Sequence, residues 1–208
     1  WFARLKGYQL QPIWDPVIRM WHWVLVVSVG LGWSFGKFMS FSTIEWHFYL
    51  GYTTGSLLIF RCLWGILGPR PVRLGHFFPR PSAIFEYSRH LRKRSPSGSA
   101  GHNPLGSLSA LAMILLLGLQ ATSGLFVESD DFFDAGPLAE YATSDLIRRM
   151  TWLHRLNADW IAVVVGLHIG AIGFYLFWKK ENLVKPMITG WKWVKQENDG
   201  TSAQDSQI

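Results

Sequence analysis

Four histidines lie inside strongly apolar stretches of this 208-residue chain: His22, His47, His154 and His168. An imidazole taken out of water is costly, so in a segment of membrane length it is a candidate for function by default. Imidazoles serve there as ligands to a metal or to haem iron, or as proton carriers. Hydrogen-bonded packing is the role that needs no chemistry. His154 and His168 are 14 residues apart on one stretch. At about 100° per residue they fall about 40° short of four full helical turns, so they share a face, about 21 Å apart along the axis. The other three histidines, His76, His90 and His102, fall in a basic connection.

Those side chains need elements to hold them. Hydrophobic residues make up 49% of the chain and charged ones 16%, against about 25% charged in soluble domains. The mean hydropathy is +0.14. This composition excludes a disordered chain and leaves too few charges to cover an ordinary soluble domain. Four stretches, 17–38, 46–67, 105–126 and 151–178, reach the about 20 apolar residues that cross a bilayer. None alternates strictly, so each reads as a helix and not as a barrel strand. The first carries Arg19 and His22 and lacks a small-residue cleavage site, which reads as a span and not as a secretory signal. The expectation is an all-α integral membrane four-helix bundle over 1–195, with a polar tail at 196–208. Residues 81–94 and 183–194 mix apolar and basic side chains and read as interfacial helices. Cys62 is the single cysteine, which excludes a disulfide within the chain, a thiolate metal site and covalent c-type haem attachment.

Charge sets the orientation. Sixteen of the twenty Lys and Arg residues flank the N-terminal end of the first span, the connection between the second and third, and the end of the fourth. The third connection is acidic, with Glu128, Asp130, Asp131, Asp134, Glu140 and Asp145. The positive-inside rule then puts both termini in the cytoplasm and the acidic loop outside. The net charge of +6 is mostly topological, and no nucleic-acid partner is needed to explain it.

With this orientation each fourth-span histidine has an opposite number at its own depth. His22 matches His168 near the inner face, and His47 matches His154 near the outer face. A zinc site wants three or four clustered ligands, and a proton relay wants carboxylates within the spans. Bis-histidine haem fits two separated pairs better, because iron takes one axial imidazole on each face of a flat macrocycle. Gly51 and Gly55 follow His47 on its face, and Gly166 and Gly170 flank His168. They suit either a porphyrin close to backbone or small-residue helix packing. Arg19, one turn before His22, and Arg155, beside His154, are placed for haem propionates and equally for interfacial snorkelling. Eight tryptophans, Trp21, Trp23, Trp33, Trp46, Trp64, Trp152, Trp160 and Trp178, read as an interfacial belt more readily than as electron relays.

At these residues the chain resembles the bacterial four-helix di-haem b-type cytochromes, which include the cytochrome b subunits of nickel–iron hydrogenases and bacterial cytochrome b561 proteins. The resemblance rests on Arg19-Met-Trp-His22-Trp, on His47 with Gly51, on Gly101-His-Asn-Pro104, and on His154-Arg-Leu through Leu167-His168. It implies two haem b ligated by His22, His47, His154 and His168, and electron exchange with a quinone or quinol in the bacterial inner membrane. It also implies a redox partner at the outer face: a periplasmic c-type cytochrome, a hydrogenase or another oxidoreductase subunit. The connection between the first two spans is short, about 39–45, where hydrogenase subunits often carry a longer stretch. His102 either shapes a pocket at the inner face or caps the third helix. A homodimer is compatible with such a surface. Two other classes stay open: a stand-alone quinone-linked oxidoreductase such as a superoxide oxidase, and a haem-free anchor or transporter.

Overall fold

The computed structural model describes residues 8–68, 78–89, 91, 103–129 and 134–195. Four long helices dominate it: α1 (Pro16–Lys37), α2 (Ile44–Leu67), α4 (Pro104–Gly124) and α5 (Ser144–Phe177). All four are long and apolar enough to cross a membrane. Their side chains face outward to a degree no soluble bundle tolerates. Leu67 is 79% exposed, Phe177 73% and Leu167 68%, as expected where lipid, and not protein, covers the surface.

Local chemistry starts α1, α4 and α5. Asp15 accepts from the Val17 amide at 2.6 Å with Pro16 in the first turn of α1. Asn103 accepts from the Gly106 amide at 2.8 Å ahead of Pro104 in α4. Asn103 therefore caps that helix, and His102 lies outside the described residues, as do His76 and His90. Thr143 caps α5 eight residues before the apolar run at 151 begins. The first two turns of α5 carry Asp145, whose carboxylate pairs with Arg148 and Arg149. Polar residues hide that extension from a reading by hydropathy.

α1 packs along α2, α2 along α4, and α4 along α5. Trp21, Leu25, Leu58, Leu117 and Ile161 form the common core. Small hydroxyl residues are buried with them: Ser28, Thr54, Ser107 and Ser123. Where lipid is as apolar as leucine, close packing and interhelical hydrogen bonds hold helices together. Trp21 accordingly leaves the expected belt. Its ring is 9% exposed and its indole N–H donates to Leu57 O at 2.7 Å. Trp33 likewise donates across the bundle to Ala158 O at 3.1 Å.

The two ends differ. At the basic end, α3 (Pro81–Arg89) covers the first part of the expected interfacial segment 81–94, and 92–94 lies outside the described residues. The second such segment, 183–194, is not one helix. It divides into α6 (Val184–Thr189) and β4 (Trp191–Lys195), broken at Gly190, which adopts φ 85°. β4 pairs antiparallel with β1 (Tyr8–Pro12), Tyr8 opposite Lys195 and Pro12 opposite Trp191. The alternating Trp-Lys-Trp-Val-Lys is the strand signal that the amphipathic reading passed over. This ribbon ties the two terminal segments together at one end of the bundle. At the acidic end β2 (Glu128–Ser129) and β3 (Asp134–Ala135) form a short hairpin between α4 and α5.

Candidate functional site

α5 packs closely on α4 but not on α1 or α2. Across that looser seam the four histidines approach each other in two pairs. His47, one turn into α2, faces His154 of α5 with ring centroids 6.1 Å apart and planes at 88°. His22 of α1 and His168 of α5 lie within electrostatic range of each other near the basic end.

The acidic-end pair is held by a repeated device. His47 Nδ1 is 2.9 Å from Gly32 O on α1. His154 Nδ1 is 3.1 Å from Gln120 O on α4. A carbonyl only accepts, so Nδ1 carries the proton in each ring and Nε2 is left bare. One turn beyond each carbonyl stands a glycine. A Cβ on Gly36 would lie 2.8 Å from His47 Cε1, and one on Gly124 would lie 3.0 Å from His154 Cε1. Each ring lies in a slot made by a carbonyl and the missing side chain four residues later. Gly36 and Gly124 were not among the glycines singled out from the sequence. Their signal, a small residue near a helix end at the depth of a histidine on another helix, requires the packing to be known.

His154 has a further set of partners. Its Nε2 is 3.1 Å from Gln120 Nε2, and Ser123 Oγ is 3.2 Å from Nδ1. Asn157 Nδ2 donates to Gln120 Oε1 at 2.7 Å and to Leu116 O at 2.9 Å. Ser123 is 1% exposed and Asn157 2%.

At the basic end the His22 ring stands edge-on to Trp23 at 5.4 Å. Its Nδ1 is buried and has no hydrogen-bond partner among the described residues. Arg19 is tied to the chain's own backbone: its Nη1 donates to Ile188 O beyond α5, while its Nε is buried without a hydrogen-bond partner among the described residues. Arg155 is exposed and within electrostatic range of His154. Arg61, counted with the basic connection in the sequence, is instead 3% exposed within α2, its guanidinium 5.9 Å from the Trp21 ring centre.

These residues fit a haem. With metal–imidazole bonds of about 2 Å, two rings on opposite faces of one metal have centres about 6 Å apart. Nδ1–H bound to a carbonyl is the arrangement that fixes a ligating histidine. A Cβ on Gly51, Gly166 or Gly170 would meet nothing within 4 Å, so the backbone there is open to a flat group. Gly55 instead faces Ala121 across a helix contact, the small-residue packing alternative. Among the described residues no three His, Cys, Asp or Glu side chains converge as a metal-ion site.

No curated protein sequence matches the chain closely. The family model for prokaryotic cytochrome b561 matches residues 13–190, from just before α1 to the turn that ends α6. With its four membrane-length helices and its facing imidazoles, the chain belongs to the prokaryotic cytochrome b561 family, multi-pass membrane b-type cytochromes that bind haem b and transfer electrons.

Proposed function

We propose that this chain holds two haem b, one between His22 and His168 and one between His47 and His154. Electrons pass through them between the quinone pool of the bacterial inner membrane and a redox partner at the outer, acidic face. The observation that carries this reading is the pairing itself: two imidazoles share one face of α5, His154 facing His47 of α2 at 6.1 Å and His168 lying within electrostatic range of His22 of α1.

Haem b supplies the one-electron chemistry when bound, and the protein supplies ligation, spacing and surroundings. Gly32 O and Gln120 O hold His47 and His154 in the ligand tautomer. Gly36 and Gly124 leave the room that both rings occupy against neighbouring helices. The Lys37–Asp159 ion pair at 2.9 Å and the Trp33–Ala158 bond link α1 to α5 near the acidic end, which keeps the seam at a set width there. Arg19 and Arg155 stand near the two sites with charge to offer carboxylates. Arg61 adds a third guanidinium at the basic end.

The experiment is a pyridine haemochrome count and a reduced-minus-oxidised spectrum of the purified chain and its single histidine variants. Two haem b per chain are expected, with H47A and H154A each retaining the same one. H22A and H168A should each retain the other. A wild type without haem, or a common loss in H47A and H22A, overturns the assignment.

A further inference from the structure

Arg61 carries a charge into the interior of the bundle. It belongs to the buried stripe of α2 with Thr54, Leu58 and Gly65, and at 3% exposure it is covered by the chain's own atoms. Its guanidinium carbon is 5.9 Å from the ring centre of Trp21, the residue before His22, which is cation–π range. Trp21 is itself pinned to α2, its indole N–H donating to Leu57 O one turn before Arg61. Spacing gives the same depth independently. Arg61 follows His47 by 14 residues on α2, the interval that separates His154 from His168 on α5. Both helices run from the acidic to the basic end, and 14 residues rise about 21 Å. As His47 stands level with His154, Arg61 stands level with His168.

The carboxylates lie elsewhere. Within the four long helices they are Glu45, Asp145 and Asp159, all toward the acidic end. At the basic end Asp15 caps α1, Glu181 pairs with Lys192 at 2.9 Å, and Glu86 is exposed on α3. Arg19, one turn before His22, adds positive charge. An arginine keeps its charge at physiological pH. Iron held between two neutral imidazoles loses one positive charge when it is reduced, so a fixed cation nearby favours the reduced state. Net charge and burial are among the levers by which a protein sets such potentials.

We propose that Arg61 raises the reduction potential of the haem between His22 and His168. This rests on the ligation proposed above. The couple is one electron added to ferric iron to give ferrous iron, supplied by quinol or by the outer partner, and no bond forms or breaks at Arg61. Its role is therefore read as a potential and not as a rate. A unit charge acting across about 10 Å, one helix diameter, at an effective dielectric of about 20 changes a one-electron equilibrium about tenfold.

The test is a redox titration of the haem-loaded protein in detergent, with mediators, followed in the visible α-band. H154A, which keeps only the haem between His22 and His168 under that ligation, identifies its signal. R61M and R61Q should each lower the midpoint of that haem by about 59 mV, a tenfold change for a one-electron couple. The other haem, about twice as far from the charge, should move about half as much or less. R61K keeps the charge and should hold the equilibrium within about twofold of wild type. The shift should be equal at about 10 mM and about 500 mM salt, since a buried charge is screened little. Unchanged potentials in R61M with two haems bound, equal shifts at both haems, or a shift in R61K as large as in R61M overturns the proposal. R61Q carries the test if R61M does not assemble. Loss of that haem from both variants also overturns it, because Arg61 would then hold the site and not tune it. A wild type without two haem b overturns the ligation beneath the proposal, which the haem count reads separately.

Discussion

At the scale of residues the acidic-end site depends as much on what is missing as on what is present. Gly36 and Gly124 leave the room that the rings of His47 and His154 occupy. A methyl placed there meets the imidazole at Cε1, and the ring cannot yield without losing its carbonyl partner. Overpacking of this kind costs about 1–3 kcal/mol, so G36A and G124A should each weaken the outer haem roughly tenfold or more. Under the two-haem arrangement proposed above, the haem count would fall from two towards one, with the haem between His22 and His168 kept. G55A is the control, because its added Cβ meets only Ala121 at an ordinary 3.8 Å. Equal loss of both haems in G36A would mean the slot serves the whole bundle and not this site. Four histidines were legible as candidates because an imidazole in an apolar run is conspicuous. Gly36, Gly124, Gln120 and Asn157 were not, because their types are ordinary and only their neighbours on other helices make them matter.

At the scale of elements the basic end is closed by pieces that hydropathy reads poorly. α3 docks through Tyr87, whose hydroxyl lies 2.6 Å from that of Tyr175, and Asn103 Nδ2 donates to the same Tyr175 hydroxyl at 2.9 Å. Lys179, 4% exposed, sits 5.5 Å from the centres of both rings. Burial pushes the Tyr87 phenol above its ordinary value of 10.0. A group raised in the folded state stabilises fully below its unfolded pKa, and that stability is lost as pH rises through the folded value. The docked α3 should therefore hold at neutral pH and loosen above about pH 10. Proteolysis between α2 and α4, followed against pH in detergent, reads this directly. Y87F should be about 1 kcal/mol less stable at neutral pH and lose the alkaline transition in that region. An unchanged transition in Y87F would assign it to another group. Gly190 closes α6 in the left-handed region, and its carbonyl accepts from the Ile13 and Trp14 amides at 2.8 and 3.3 Å. That turn brings β4 back onto the start of the chain.

At the scale of the whole molecule, charge divides the bundle into a basic and an acidic end. Glu128, Asp134 and Glu140 give the acidic face its sign, while the Asp145 carboxylate is taken up by Arg148 and Arg149. A cationic c-type cytochrome docking there would be steered by that field. Its rate of electron exchange with the reduced protein should fall several-fold between about 10 mM and about 200 mM salt, as the screening length shrinks. Stopped-flow mixing measures it, and a rate that does not change with salt would remove the acidic face as the docking surface. E128Q/E140Q should lower the low-salt rate and flatten the dependence.

The sequence by itself determined four spans, a basic and an acidic end of the bundle, and the two depths at which histidines occur. Composition, hydrophobic length and helical period are local properties, and they survive without any knowledge of packing. The motifs around His22, His47, Asn103 and His154 to His168, and not composition or period, carried the family resemblance that the match over 13–190 bears out. Only the tertiary structure decided which carbonyl holds each ring and which glycine admits it. It also decided that 191–195 is a strand paired with 8–12, and that α5 begins at Ser144 and not near 151. The ring partners and the paired strands depend on contacts between residues tens to hundreds of positions apart, while the start of α5 rests on a local cap at Thr143 that hydropathy does not register.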